Sequence, residues 1–240
     1  MKLQYLIIML ASTFLLGNTR SAAQLTNTLP KNEFGLTIID NGIDFGASTA
    51  QDSLKQMVAI DNYIVHLATD FVYATTKNFT HQKLYSKPKA YLRLAAAKAL
   101  LAVANYLEIR GLGILIYDAY RPYSVTKTMW QIVPDDRYAA NPAKGSGHNR
   151  GIAVDLTLYD LQTGLPLPMP TAFDDFTEKA HHNYMQLDSV VLTNRQLLRT
   201  AMEQQGFKAL DTEWWHYYLP NATYFELLDI DFKQMKRLAK

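Results

Sequence analysis

The chain has 240 residues, of which 48% are hydrophobic and 19% are charged, and its formal net charge is +2. This length and composition suit one domain of ordinary size with a full hydrophobic core. The chain contains no cysteine, which excludes disulfide scaffolds, thiolate metal sites and a cysteine nucleophile, so His, Asp and Glu are the strong metal ligands left.

The first 23 residues have the pattern of a secretory signal. Lys2 precedes an apolar run from Leu6 to Leu16, and the small residues Ser21-Ala22-Ala23 follow where a signal peptidase would cut. We therefore predict a cleaved signal over residues 1–23. An uncleaved anchor is the alternative, although the apolar run is shorter than the ~20 residues that a spanning helix needs.

Cleavage near Ala23 predicts export to the periplasm or the medium, with no stable membrane insertion. Residues 24–240 are then a single domain whose first part, 24–53, is a turn-rich N-terminal arm. Because Lys2 and Arg20 are lost with the signal, the mature chain carries 22 basic and 22 acidic residues. No basic stripe is left that would indicate binding to nucleic acid or to an anionic membrane surface.

Hydrophobic periodicity and residue type predict the elements of the mature chain. An apolar stripe at helical spacing makes 90–110 the clearest helix, and β-branched and aromatic residues indicate the strands. In chain order we predict strand 64–73, helix 90–110, strand 112–117, helix 123–132, strand 152–158, helix 192–205, strand 207–219 and edge strand 224–228 before a frayed basic end.

Three histidines outside the main motifs are interpreted as structural. His66 lies within the predicted strand 64–73, and we expect it to pack there. His181 and His182 are adjacent, so their side chains diverge. We expect these two to be structural, or to support metal ligands, rather than to bind metal themselves.

Arg121 lies at a corner between a strand and a helix. It follows the predicted strand 112–117 and precedes Pro122, a residue suited to the first turn of the next helix. A side chain at such a corner can face a cleft, where a fixed cation stabilises negative charge on a carbonyl oxygen under attack. The alternative is a surface arginine paired with Asp118 three residues earlier.

The segment Ser146-Gly-His148-Asn-Arg-Gly151-Ile-Ala-Val-Asp155 has half of a metal site. The proline- and glycine-containing loop 134–147 delivers His148, and Asp155 lies in the strand that follows. Side chains at an odd separation point to opposite faces of a regular strand. We therefore expect His148 to lie before regular pairing begins, with Gly151 allowing the bend.

The segment Glu213-Trp-Trp-His216 supplies the other half. Its aromatic residues are typical of a buried strand, and a buried Glu or His costs free energy unless it is paired. Glu213 and His216 would face opposite ways on a flat strand. If both line one cleft, Glu213 must lie before the strand or at an irregularity in it.

Together these segments predict a catalytic centre with one zinc ion. His148, Asp155 and His216 are the expected ligands, leaving a fourth position for water. Zinc lowers the pKa of such a water toward ~7, so that Glu213 as general base can take its proton and hand it to the leaving nitrogen. Arg121 would hold the oxyanion.

The two motifs resemble those of a known family. Ser146-x-His148-x-x-Gly151-x-Ala153-x-Asp155 and Glu213-Trp-Trp-His216 are similar to the D-alanyl-D-alanine dipeptidases, the VanX-like branch of the zinc D,D-peptidases in peptidase family M15. Four further segments match in the same order, so the resemblance covers roughly residues 58–220: Tyr73-Ala-Thr-x-x-Asn78-Phe79, Asp118-x-Tyr120-Arg121-Pro122, Asp155-Leu-Thr-Leu158 and Phe173-Asp174.

The resemblance implies a fold and further site residues. The fold is α+β, with a central mainly antiparallel sheet, flanking helices and a single zinc-containing cleft, the D,D-peptidase or hedgehog-like fold. The resemblance implies one zinc per chain with the ligands, base and arginine given above. It adds that Asp174, with Tyr73, meets the ammonium group of the substrate and that Ser146 helps to hold the substrate and its carboxylate.

The expected reaction is hydrolysis of the dipeptide D-Ala-D-Ala to two D-alanines, in wall-peptide recycling or nutrient capture. One alternative is a D,D-carboxypeptidase that trims peptidoglycan stem peptides. Another, from a different class, is a secreted zinc-binding or wall-binding module without activity. The acidic Asp174 favours the dipeptidase, because a free ammonium group requires such a partner, and the presence of both Glu213 and Arg121 disfavours the inactive module.

Overall fold

The structure is a computed structural model that describes residues 29–239. The predicted signal at 1–23 and the first residues of the predicted arm lie outside the described residues. Among the residues described, no helix is both long enough and apolar enough to cross a membrane.

The described part of the chain alternates short strands and helices. Its strands are β1 (Ile38–Ile39), β2 (Met57–Ala59), β3 (Leu67–Thr69), β4 (Tyr91–Arg93), β5 (Leu112–Asp118), β6 (Ala153–Asp160), β7 (Lys208–Leu210), β8 (Glu213–Tyr218) and β9 (Leu227–Leu228). Its α-helices are α1 (Gly42–Thr49), α2 (Leu94–Glu108), α3 (Tyr123–Ile132), α4 (Gly147–Arg150), α5 (Ser189–Gln204) and α6 (Phe232–Leu238).

A five-stranded sheet with the order β3-β5-β6-β8-β7 organises the molecule. The pair β3–β5 is parallel, and the other three pairs are antiparallel. Two small sheets lie beside it: β1 pairs with β9 in parallel, and β2 pairs with β4 antiparallel. The predicted α+β class is confirmed.

Helices α2 and α5 pack on the sheet through one large apolar cluster. Alternation along β6 turns Val154, Leu156 and Leu158 toward this cluster and Asp155 toward the opposite face. The sheet is therefore the support on which the polar residues of the site are placed.

Several predicted elements have the bounds expected from the sequence. The predicted strand at 112–117 is β5, and the predicted helix at 123–132 is α3 with the same ends. The predicted strand at 152–158 is β6, which continues to Asp160 and then turns back through a bridge between Tyr159 and Pro166.

The predicted strand at 64–73 is wrong in extent. Pairing with β5 covers only β3, after which the chain turns into a 3-10 helix over Val72–Ala74. His66 precedes the strand and is exposed, with its Nε2 3.4 Å from Glu108, so the expectation of a packed strand histidine is wrong.

The N-terminal end of the predicted helix 90–110 is a strand. Residues Tyr91–Arg93 pair with β2, and this contact with a distant segment overrides their local preference, so α2 begins at Leu94. The predicted strand 207–219 is two strands, β7 and β8, joined by a turn at Asp211-Thr212.

The last two predicted elements also differ. Helix α5 begins at Ser189, three residues before the predicted start. In the predicted edge strand 224–228, only Leu227–Leu228 pair. The expected frayed end is instead α6, because the side chain of Asp231 accepts a hydrogen bond from the Gln234 N–H (2.7 Å) and caps the helix.

Candidate active site

Two of the predicted metal ligands lie directly opposite each other in the sheet. In the antiparallel pairing of β6 with β8, Asp155 is the register partner of His216. Directly paired residues place their side chains on the same face, close together. Strand pairing thus brings together two residues that are 61 positions apart in the sequence.

The third ligand, His148, is held in the one-turn helix α4 just before β6. Ser146 caps this turn, since its hydroxyl accepts from the Asn149 N–H and the Asn149 side chain accepts from the Ser146 N–H. Gly151 ends the turn with φ 69°, a left-handed conformation that favours glycine. His148 does precede regular pairing, as expected, although it lies in a helical turn rather than a loop.

The donor atoms of the three residues converge. His148 Nε2 lies 3.3 Å from Asp155 Oδ2, His216 Nδ1 lies 2.9 Å from Asp155 Oδ1, and the two ring nitrogens are 3.2 Å apart. Ligands of a tetrahedral zinc at 2.0–2.1 Å are about 3.3 Å from one another. The arrangement therefore fits one zinc ion.

The tautomer of His148 also suits metal binding. Its Nδ1 lies 2.7 Å from the carbonyl oxygen of Ala119, an acceptor, so Nδ1 donates a hydrogen there and Nε2 is the nitrogen left to face the centre. Burial would raise the pKa of Asp155, but the two adjacent imidazoles outweigh this effect and hold that pKa below its usual value. Asp155 is thus a carboxylate.

All eight of the predicted site residues line one cavity of about 140 Å³. They are Tyr73, Arg121, Ser146, His148, Asp155, Asp174, Glu213 and His216. The sheet, the β5–α3 corner, helix α4, the 3-10 helix Val72–Ala74 and the irregular segments 136–140 and 174–176 each contribute to the cavity wall.

Arg121 is a buried arginine of the cavity wall. Its side chain is 7% exposed, and its Nε and Nη2 donate to Asp118 Oδ2 at 3.0 and 2.7 Å. The pairing with Asp118 is therefore real, but the alternative of a surface arginine is wrong. Burial would lower the pKa of Arg121, yet Asp118 holds it above its usual value, so the guanidinium stays charged.

Glu213 is the first residue of β8. It lies where the register between β7 and β8 shifts, next to Leu210, and this is the irregularity that the strand argument required. Burial raises the pKa of Glu213 to about 7, and the nearby carboxylates Asp155 and Asp174 add to the shift. A carboxyl group with a pKa near neutrality is suited to general base catalysis.

Asp174 and Tyr73 form a second polar pair in the cavity. The Tyr73 hydroxyl lies 3.1 and 2.9 Å from the two carboxylate oxygens of Asp174. Burial raises the pKa of Asp174 to about 8, and the nearby carboxylate of Asp155 adds to the shift. Its φ of 61° is uncommon for a residue other than glycine and turns the chain sharply here.

Ser146 has a structural contact of its own. Its oxygen caps α4 by accepting from the Asn149 N–H at 3.1 Å, while its hydroxyl hydrogen can still be donated into the cavity. His182 packs against Tyr217, with ring centroids 6.1 Å apart, and lies outside the group of convergent ligands.

The sequence did not indicate several residues of the cavity. Asp136 and Tyr138 belong to the loop that was expected only to deliver His148, and they carry no motif. Phe176 and Trp215 also line the cavity, and their positions beside Asp174 and between Glu213 and His216 were signals that could have indicated them.

Of the polar support behind the site, only Asp118 was predicted, as the alternative partner of Arg121; Tyr85, Asn149 and Thr126 were not. Asp118, which orients Arg121, accepts two contacts from the buried Tyr85 hydroxyl at 2.8 and 3.0 Å. The amide of Asn149 donates to the carbonyl oxygen of Arg121 at 2.9 Å and to the Thr126 hydroxyl at 2.8 Å. These contacts join the turn that carries His148 to the corner that carries Arg121.

Comparison with known proteins adds independent information. The family model described as D-ala-D-ala dipeptidase matches residues 53–234. The D-alanyl-D-alanine dipeptidase of Escherichia coli is 36% identical over 166 residues, which cover 69% of this chain and 86% of that protein. The D-alanyl-D-alanine dipeptidase of Enterococcus faecium is 31% identical, covering 69% of this chain and 92% of that protein.

A solved structure of the vancomycin resistance D,D-pentapeptidase VanY has a TM-score of 0.36 and 13% identity, covering 58% of this chain and 78% of that one. This similarity is too low to add to the sequence matches. The family match spans most of the chain, and with it the cavity and its convergent histidines and carboxylates. The chain belongs to the D-Ala-D-Ala dipeptidase family, peptidase family M15, and is a metallopeptidase.

Proposed function

We propose that the protein hydrolyses D-Ala-D-Ala to two D-alanines, using one zinc ion held by His148, Asp155 and His216. The observation that carries this proposal is the convergence of these three donors with Glu213 and Arg121 on one small cavity. The relatives named as D-alanyl-D-alanine dipeptidases support the choice of substrate.

A zinc ion held by His148, Asp155 and His216 would act as a Lewis acid and would lower the pKa of water at the site. Glu213 accepts the proton of the attacking water and passes it to the nitrogen of the scissile peptide bond, so that D-alanine leaves as an amine. The raised pKa of Glu213 suits it to both steps, because the group gains and releases a proton near neutral pH.

Arg121 stabilises the negative charge that develops on the carbonyl oxygen of the scissile bond. Its orientation is fixed before substrate binds, because Asp118 accepts from both Nε and Nη2 and is itself held by Tyr85. A guanidinium that is already oriented need not reorganise during the reaction, which lowers the barrier.

Asp174 binds the free ammonium group of the dipeptide, with Tyr73 holding the carboxylate in place. The raised pKa of Asp174 supports this role, because a carboxyl that is buried near another carboxylate is stabilised in its charged form by a positively charged partner. Ser146 donates its hydroxyl hydrogen to the substrate carboxylate. A cavity of about 140 Å³ suits a ligand well below drug size.

A hydrolysis panel on the zinc-loaded protein tests the proposal. We expect D-Ala-D-Ala to be cleaved well, and an L,L-dipeptide and a stem pentapeptide poorly. Preferential cleavage of the pentapeptide would instead identify a D,D-carboxypeptidase. Glu213→Gln removes the base while keeping the size of the side chain, so it should lose at least ~100-fold in kcat and still bind zinc. Unchanged hydrolysis by this variant would overturn the mechanism.

We also propose that the protein is exported and that its signal is cleaved near Ala23. The support is the charged start, apolar run and small residues of 1–23. N-terminal sequencing of the protein recovered from the periplasm or medium should begin near Gln24. Recovery of the full-length chain from the cytoplasm would contradict the proposal.

A further inference from the structure

Five aromatic rings form a continuous wall beside the cavity, and all of them except Phe79 line it. This aromatic wall consists of Tyr73, Phe79, Tyr138, Phe176 and Trp215. Ring centroids are 6.2 Å apart for Tyr73–Phe79, 5.8 Å for Phe79–Phe176 and 6.0 Å for Phe176–Trp215. The closest pair, Tyr138–Phe176, is 4.7 Å apart, with the rings edge to face.

The aromatic wall lies beside the carboxylate that is proposed to bind the ammonium group. Phe176 follows Asp174 by two residues, and the sharp turn at Asp174 brings this short segment to the cavity. At the other end of the wall, Tyr73 donates directly to Asp174. The rings therefore surround the amino end of a bound dipeptide.

Tyr138 is the outermost ring of the aromatic wall. It is 37% exposed, whereas Tyr73 and Trp215 are buried and the remaining two rings are partly buried. Tyr138 contacts both Phe176 and Phe79 and also lines the cavity, so it lies over the cavity between the inner rings and solvent.

The backbone holds Tyr138 in this position. The N–H groups of Tyr138 and Ala139 both donate to the carbonyl oxygen of Asp135, at 2.9 and 3.1 Å. Arg137 pairs with the Asp135 carboxylate through Nε and Nη2, and Ala139 is buried in the core. A turn tied in this way presents its ring in one place, so the ring can limit what enters.

From this geometry we propose that Tyr138, packed edge to face against Phe176, closes the cavity beyond Asp174 and restricts hydrolysis to dipeptides with a free amino end. The inference rests on the proposed function and identifies the residue that sets substrate length. A substrate with one more residue at its amino end must occupy the space of the Tyr138 ring. Tyr138 is thus a specificity-determining residue and takes no part in proton transfer.

The test compares kcat/KM for the tripeptide D-Ala-D-Ala-D-Ala, cleaved at its last bond, with kcat/KM for D-Ala-D-Ala. We expect Tyr138→Ala to raise the tripeptide-to-dipeptide ratio at least about tenfold, the scale set by shape changes in a binding pocket. Tyr138→Leu fills part of the space and should give an intermediate ratio, which also provides a measurement if the alanine variant does not fold.

Two controls separate the ring from the turn. Tyr138→Phe keeps the ring and should keep the wild-type ratio. Arg137→Ala removes the exposed ion pair with Asp135 and a guanidinium 5.6 Å from the centroid of the Tyr138 ring, but it keeps the ring and the two backbone hydrogen bonds of the turn, so it should keep that ratio too. A similar rise in Arg137→Ala would show that the turn, rather than the Tyr138 ring, sets the length limit and would overturn the inference.

The inference and the proposed function fail in different ways. If the wild-type protein does not cleave D-Ala-D-Ala, the proposed function is wrong and the inference falls with it. If the wild type cleaves the dipeptide but Tyr138→Ala and Tyr138→Leu leave the ratio unchanged, the function stands and the role of Tyr138 is refuted.

Discussion

Replacing Gly151 by alanine tests how tightly the turn that carries His148 is built. Gly151 has φ 69°, and a Cβ atom there would lie 2.8 Å from Met57 Sδ and 3.0 Å from Met57 Cε. Met57 is fully buried, so it has little room to move away. The carbonyl oxygen of Gly151 also accepts from the Arg93 N–H at 2.7 Å, which ties the turn to β4.

The expected cost has two parts. An alanine in the left-handed region costs about 1–2 kcal/mol, and overpacking against Met57 adds about 1–3 kcal/mol. Gly164→Ala is the matched control, because Gly164 has φ 72° but no atom lies within 4 Å of the position that an alanine Cβ would occupy. Changes in the entropy of the unfolded chain are the same for both variants and cancel in the comparison.

Urea unfolding of both variants gives the comparison directly. We expect Gly151→Ala to be less stable than Gly164→Ala by about 1–3 kcal/mol and to bind zinc more weakly, because His148 moves with the turn. Equal stability and equal zinc affinity of the two variants would refute the reasoning that packing behind Gly151 positions the ligand.

Three further predictions concern charge and metal. Burial lowers the pKa of His182 to about 4, so as the pH falls the unfolded chain takes up a proton near pH 6.5, before the folded protein does. The free energy of unfolding should therefore fall by ~2 kcal/mol between pH 7 and pH 5. His182→Phe should remove that part of the fall. Asp174→Asn should lower kcat/KM for D-Ala-D-Ala by at least ~10-fold while changing the much lower kcat/KM for N-acetyl-D-Ala-D-Ala far less, because only the first substrate has an ammonium group. Removal of zinc with a chelator should abolish hydrolysis and lower the unfolding temperature. Compared with protein in free zinc at 100 times its Kd, the free energy of unfolding should be lower by about 2.7 kcal/mol.

Each of these has a clear contrary result. If the free energy of unfolding falls with pH by the same amount in the wild type and in His182→Phe, the buried His182 does not contribute to the pH dependence of stability. If Asp174→Asn lowers kcat/KM equally for both substrates, Asp174 does not bind the ammonium group. Asp155→Asn is the control for the chelator experiment, and an equal shift in its unfolding temperature would place the stabilising metal elsewhere.

The sequence predicted the placement of the site better than the bounds of the elements. An odd separation on a strand predicts an irregularity if both side chains are to face one cleft. For His148 and Asp155, the structure has a helical turn before the strand. For Glu213 and His216, it has a register shift between β7 and β8. The alternation of side chains along a strand is a local property, so both irregularities could be predicted without knowing the fold.

Errors arose where distant contacts decide the structure. Residues Tyr91–Arg93 extend a strong helical pattern in the sequence, but they pair with β2 as a strand. The turn at Asp211-Thr212 is short, with Leu210 before it and Glu213-Trp214-Trp215 after it, so the sequence pattern does not separate the two strands. Tyr138 has no local signal at all, because its role depends on Phe176, which belongs to a different loop.

The pairing of β1 with β9 has a consequence for how the chain folds. It joins Ile38–Ile39 to Leu227–Leu228, so its closure spans nearly the whole described chain, while the segments around the proposed metal site lie between Ser146 and His216. Long closures lose more chain entropy and slow folding. The proposed metal ligands can therefore come together while the two ends are still apart, and during synthesis the final closure must wait until β9 has left the ribosome.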